Sequence, residues 1–339
     1  MTFGVKPPAS GWAKSRKLKL LTRGRAVYLW SIMNHDQLFK LLLQTFFREF
    51  LQVFAPQIHR NLSQATIHFL DKELIRQQGG LRKTKLVDLV ARVKLGQGEG
   101  FVLLHIEHQA RRERDIGRRL FLYAAWLMQR YGLPVYPILL TSYDQPREPE
   151  PSRYEMAVSG FRVLDFRFRV VQLNRLNWRS YARTRNPAAA ALMAKMRISA
   201  RERPKVKLQI LRLLATFRLE PARMELIAGF MENYLALNAK EELAFQASLD
   251  KVESSKEREQ VMELMTSWER KGRQEGIREG RQEGRQEGRE QGTLTGQIRL
   301  MQELLGLSVT SLSSLNGKPT SELRKLATEL REKLRKRGF

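Results

Sequence analysis

Leu86-Val87-Asp88-Leu89-Val90-Ala91-Arg92-Val93-Lys94-Leu95, then Gly96-Gln97-Gly98-Glu99-Gly100, then Phe101-Val102-Leu103-Leu104-His105-Ile106-Glu107-His108-Gln109 is the stretch on which the rest of the chain is read. Two apolar runs around a glycine-rich connector predict a β-hairpin. With the turn centred between Gln97 and Gly98, the numbers of paired residues sum to 195, which sets Asp88 opposite Glu107. Directly opposed residues share a face and side chains alternate along a strand, so Gln109 joins the two carboxylates while His108 points the other way. Two converging carboxylates repel unless a cation lies between them, and hard oxygen ligands suit a divalent ion such as Mg²⁺.

Asp88, eighteen intervening residues, then Glu107-x-Gln109 on adjacent strands resembles the core of the PD-(D/E)XK nucleases, whose usual form ends in Glu-x-Lys. The flanking text narrows the resemblance. His35-Asp36-Gln37-Leu38-Phe39-Lys40, His105-Ile106-Glu107-His108-Gln109 and Arg118 to Tyr123 together resemble the recombination-promoting nuclease / putative transposase family of bacteria, over roughly residues 33 to 175. The resemblance implies a restriction-endonuclease-like α/β fold, a mixed sheet flanked by helices, and Mg²⁺- or Mn²⁺-dependent cleavage of DNA. It implies that Asp88, Glu107 and the backbone carbonyl of His108 bind the metal and that Gln109 positions a water or a phosphate oxygen. Gln109 replaces a cation with a neutral amide, so positive charge for the phosphate must come from elsewhere.

Composition bounds the alternatives. The chain has 339 residues, 42% of them apolar, enough for one large or two modest domains. It has no cysteine, which excludes disulfides, cysteine-type zinc sites and cysteine nucleophiles. It has no apolar run long enough to span a membrane and no apolar secretory segment near its start, so a cytoplasmic place and no membrane partner are expected. A formal charge of +26 points to a polyanion, nucleic acid first, although charge alone names no substrate.

Residues 1–32 hold seven basic residues and no acidic one, and read as a basic disordered arm. Either it grips a nucleic-acid backbone or it is translated upstream sequence, since the family-like text opens at Met33. From Asn34 an apolar stripe, Leu38, Leu41, Leu42, Phe46, Phe50, Phe54, predicts one helix stopped by Pro56, with Asn34 and Gln37 as a capping box. Asp36 is then either a first-turn carboxylate favoured by the helix dipole or a residue that approaches the metal or orients a catalytic partner.

Residues 65–75 suggest an edge strand whose Asp71 and Glu73 serve as metal ligands or as edge protection. The loop 77–85 leads into the hairpin. His105 and His108 have H-x-x-H spacing, but on a strand an odd separation sends the rings to opposite faces, so a zinc site is not expected. Arg111 and Arg112 follow, and a helix over 115–131 carries Arg118 and Arg119, which either reach a scissile phosphate or form a solvated face. Strands are expected at 135–141 and 161–173, and the strand-helix-strand order predicts a crossover and a mixed sheet.

The expected organisation is a nuclease-like domain over 33–175, a helical bundle over 176–260, a helix and Gly/Arg/Glu repeat linker over 261–292, and a C-terminal helical domain over 293–339. The bundle, with Asn186-Pro187, Pro204, Pro221 and the capping box Asn238 to Glu241, reads as serving packing, DNA contact or dimerisation into a homo-oligomer. In the repeat, glycines recur at 272, 276, 280, 284, 288 and 292. Like charges at i, i+4 and a cost of about 1 kcal/mol per glycine oppose a lone helix there. It is either a solvated linker or a small-residue stripe that lets two helices approach. The tail, with Thr320 as an expected helix cap, resembles a short cyanobacterial domain of unknown function.

Overall fold

The computed structural model describes residues 34–64, 67–70, 89–96 and 100–337. The basic arm, Met33, Asp71, Glu73, the loop 77–85, Asp88 and the turn residues 97–99 lie outside them. Compact packing divides the chain between Trp268 and Glu269.

In residues 34–268 the architecture is the expected mixed α/β sheet followed by helices. Helices α1 (His35–Thr45), α2 (Phe47–Phe54) and α3 (Pro56–Asn61) precede the strands. Asn34 caps α1 through the anticipated capping box, its side chain accepting from the Gln37 N–H at 2.8 Å. The single helix expected through Phe54 is broken at Phe46, whose backbone (φ −119°, ψ 39°) leaves the helical region. The break has a packing reason: successive residues on a straight helix point about 100° apart, yet Phe46 and Phe47 are both buried.

The sheet runs β1 (His68–Phe69), β2 (Leu89–Leu95), β3 (Gly100–Gln109), β4 (Val135–Thr141), β7 (Arg169–Gln172). β2 and β3 pair antiparallel from Leu89↔Ile106 to Leu95↔Gly100, the register the sequence predicts. Helix α4 (Ile116–Tyr131) then crosses to β4, which lies parallel to β3, so the mixed sheet follows from the predicted crossover. β1 is a two-residue edge.

The strand expected over 161–173 is instead two. β6 (Phe161–Arg167) leaves the main sheet to pair with β5 (Arg153–Val158), and the chain rejoins it only at β7. Phe168 marks the division: it is buried with Ile116, Leu120 and Leu139, while its N–H binds the Ser152 carbonyl. β5 escapes a pattern reading because its Met156 and Val158 are apolar yet exposed.

The two faces of the sheet are covered differently. Leu89, Ala91, Val93, Leu104, Ile106, Ile138 and Leu140 join the main core with α1, α2 and the later helices. Val90, Leu103 and Leu139 pack against α4 through Tyr123, Leu127, Ile116 and Leu120. Beyond β7 the chain is helical: α5 (Pro187–Leu192), α6 (Arg203–Thr216), α7 (Pro221–Tyr234) and α8 (Ala239–Asp250), each opening at the proline or asparagine the sequence marks.

Helix α9 runs unbroken from Ser255 to Leu304, so the repeat is helical throughout. Where a Cβ would stand on Gly280, Gly284, Gly288 or Gly292 there is open space, and the close approach of a second helix is not seen at these positions. Both ends of α9 pack, Val261 in one core and Ile298 and Met301 in another, and a helix nucleated at its ends propagates through a weak middle at low cost per residue. In residues 269–337, α10 (Leu312–Asn316) and α11 (Thr320–Lys336) close a small core with Leu305, Leu315, Leu323, Ala327 and Leu330. Pro319 takes the N-cap position expected for Thr320, which is the first helical residue and caps nothing.

Candidate active site

β3 has two chemically distinct faces at its C-terminal end. Glu107 and Gln109 point toward α4, with His105 behind them, while His108 points toward α1. The alternation expected from the hairpin is therefore realised at these residues.

On the α4 face the Glu107 carboxylate is 2% exposed. Its Oε1 accepts from Arg119 Nη2 at 2.7 Å and from Gln109 Nε2 at 3.1 Å. Arg119 sits at the start of α4, where burial of Ile116, Leu120 and Tyr123 against the sheet aims it across the strand end, and its other amino group donates to Glu113. Glu107 Oε2 makes no hydrogen bond, and its polar neighbour is His105 Nε2 at 3.5 Å. His105 is fully buried and neither ring nitrogen is hydrogen-bonded. Tyr123 stands edge-on to it with ring centroids 5.8 Å apart.

On the α1 face, Ser142 Oγ lies 2.8 Å from both His35 Nε2 and His108 Nε2. A hydroxyl has one proton, so it donates to one ring and accepts from the other. Burial holds the Tyr234 phenol above its usual range and therefore protonated, and the phenol lies 2.5 Å from His35 Nδ1. Tyr234 donating to Nδ1 leaves the His35 proton on Nε2, which donates to Ser142. Ser142 then donates to His108 Nε2, and the His108 Nδ1 proton faces the Asp36 carboxylate 3.6 Å away. The His108 ring also stacks on Phe39 at 4.0 Å. Burial first, then the charges of His108 and Lys195, lower His35 from its usual 6.5 to about 4, and burial likewise lowers His108.

The sequence-predicted residues are thus divided by the sheet. Glu107, Gln109 and Arg119 come together, whereas Asp36 is brought to His108 on the opposite face and not to Glu107. Arg111 and Arg118 are exposed, and Arg112 pairs with Glu150 at 3.1 Å and Glu148 at 3.4 Å. Asp88 lies outside the described residues, and among those described no group of three or more His, Asp or Glu side chains is placed to hold a metal. The residues present still fit one: a buried carboxylate with one oxygen anchored and the other without a hydrogen bond offers the hard donor a divalent cation takes. Sequence reasoning missed Glu113, Ser142 and Tyr234, because their roles depend on which strand end and which distant helix meet β3.

No helix among the described residues is long and apolar enough to cross a membrane. Neither a curated protein nor a solved structure matches the chain significantly. A family model does match, over a span that holds α1, the β2–β3 hairpin and α4: residues 33–135 are similar to the family described as "Putative transposase, YhgA-like".

Proposed function

We propose that the chain is a divalent-metal-dependent DNA endonuclease of transposase-related type, hydrolysing phosphodiester bonds to promote recombination, with its site at the C-terminal end of β3. The observation that carries this reading is the state of Glu107: buried, anchored through Oε1 by Arg119 and Gln109, and open at Oε2. Leu89 pairs with Ile106 as the sequence register expects, and Asp88, outside the described residues, enters this reading on the sequence alone. Mg²⁺ or Mn²⁺ bound by Asp88, Glu107 and the His108 carbonyl would activate water and offset charge on the phosphate.

The chain's own groups have separable tasks. Arg119 fixes the carboxylate and brings the positive charge that the wider nuclease class takes from a lysine where Gln109 stands. The Gln109 amide, already held by Glu107, orients water or a phosphate oxygen. Arg111 and Arg118 are exposed and reach backbone phosphates, with Arg112 held nearby by Glu148 and Glu150. Asp36 acts from the far face through the His108 ring.

A second reading has one observation in its favour: Arg119 already neutralises Glu107, as in a DNA-binding module that has lost its chemistry. Nicking of supercoiled plasmid with Mg²⁺ or Mn²⁺ separates the two. The endonuclease reading expects cleavage by the parent, none by Asp88→Asn or Glu107→Gln, and metal-free DNA binding unchanged in both. Equal cleavage by parent and variants would assign the activity to a contaminant and leave the binding module.

A further inference from the structure

We propose that the β5–β6 hairpin is a probe of duplex DNA whose tip residue, Phe161, inserts against the bases, so that DNA with an unpaired or easily unstacked step is preferred. This rests on DNA as the partner and adds the surface that reads its deformability.

The hairpin sorts its residues by face. Tyr154, Met156 and Val158 stand opposite Phe166, Leu164 and Phe161, and directly opposed residues share a face, so one side of the hairpin is apolar throughout. At its root that side is covered: the Tyr154 and Phe166 rings lie 6.0 and 5.5 Å from the Phe121 ring of α4, and Tyr154 closes over Gly117. At its tip it is bare, with Val158 63% and Phe161 73% exposed. A strand advances about 3.3 Å per residue, so the chain from Tyr154 to Val158 carries the tip roughly 13 Å past the anchored rings. Ser159 and Gly160 both have positive φ, 48° and 83°, as a two-residue turn matched to the twist of its strands requires. Phe161 is therefore presented on a short, well-defined end. A bare apolar tip of this kind marks a contact surface, because a two-stranded hairpin has little stability of its own to spare.

Charge selects the occupant. The other side of the hairpin carries Arg153, Arg162 and Arg167, all exposed, against Glu155 and Asp165, which leaves one positive charge in excess. The arginines pair with those carboxylates at 3.0, 3.5 and 3.1 Å, but ion pairs facing water contribute little and yield readily to phosphate. The root also sits on the first turns of α4, the helix that carries the exposed Arg118 and the Arg119 that holds Glu107. An apolar wedge flanked by arginines is the combination with which minor-groove proteins part a base step. A phenyl ring stacks on any base, so the insertion is indifferent to sequence in itself. What it discriminates is the cost of opening the stack, least at an unpaired base or a flexible step.

The test measures DNA binding by the full chain in EDTA, which keeps metal and cleavage out of the readout. Two short duplexes are compared, one fully paired and one with a central unpaired base beside a 2-aminopurine. The parent is expected to prefer the second by about tenfold, in the range for stacking one base on an aromatic side chain, and to change the 2-aminopurine emission on binding. Phe161→Ala should lose both the preference and the emission change, and Phe161→Trp should keep both. Affinity for the paired duplex should stay within about threefold in either variant, since phosphate contacts supply it. No preference in the parent, or a preference untouched by Phe161→Ala, would overturn the probe and leave the endonuclease reading standing. Equal binding of both duplexes, with self-association or binding to phosphatidylglycerol vesicles lost in Phe161→Ala, would overturn it in favour of a second copy or a membrane surface. Failure of the parent to cleave with Mg²⁺ or Mn²⁺ would instead remove the endonuclease reading while the preference for unpaired DNA upheld the probe.

Discussion

Glu107 and Arg119 meet at 2.7 Å across the end of the sheet, the carboxylate 2% and the guanidinium 19% exposed. A carboxylate this far from water depends on that partner, because its charge has little other compensation.

Arg119→Ala is therefore expected to destabilise residues 34–268 by about 3 kcal/mol, the range for stranding one member of a buried pair. Arg119→Lys should recover only part, since an ammonium cannot bridge Glu107 and Glu113 as the planar fork does. Denaturant unfolding measures both. A change within experimental error for alanine would show that water reaches Glu107.

Stability should fall on acidification through a window set by His35. The unfolded imidazole takes up a proton near 6.5 and the folded one only near 4, so the unfolded state binds more protons between those values. Stability is full above the upper value and is lost as pH falls through the window. His35→Gln should flatten that part of the profile of melting temperature against pH. An unchanged slope in the variant would place the titration elsewhere.

The repeat offers a gain. Gly280, Gly284 and Gly288 lie in α9 with open space where a Cβ would be. Each replacement by alanine should favour the helix by about 1 kcal/mol. The triple variant should show more ellipticity at the helical band and slower tryptic cleavage at Arg281, Arg285 and Arg289. Cleavage as fast as in the parent would indicate that the segment opens for reasons other than glycine.

Gly117 is a contrary case. A Cβ there would stand 3.2 Å from Tyr154 Cβ and 3.6 Å from the Phe168 ring, where β5 crosses α4. Tyr154 Cβ is fixed to a strand and cannot swing away. Gly117→Ala should therefore cost about 1–3 kcal/mol through overpacking. An unchanged melting temperature would mean that the β5–β6 hairpin yields freely.

The sequence by itself determined the hairpin, its register, the division of β3 into two faces and the parallel return through α4. These follow from local periodicity and chain connectivity: a two-residue alternation and a short glycine turn admit one pairing that buries the apolar set on both faces. It also determined the helix starts at Asn34, Asn186 and Asn238, where a cap is written into adjacent residues. Tertiary structure decided what no local pattern encodes. Whether Arg119 reaches Glu107, whether Asp36 stands on the Glu107 face of β3 or behind it, and that Ser142 and Tyr234 join His35 to His108 all depend on contacts that no local pattern encodes. The break at Phe46 has the same cause, because packing overrode the periodicity there, whereas β5 went unread because its apolar Met156 and Val158 are exposed. The helical repeat is the converse: propensity opposes it, and anchored ends carry the helix through.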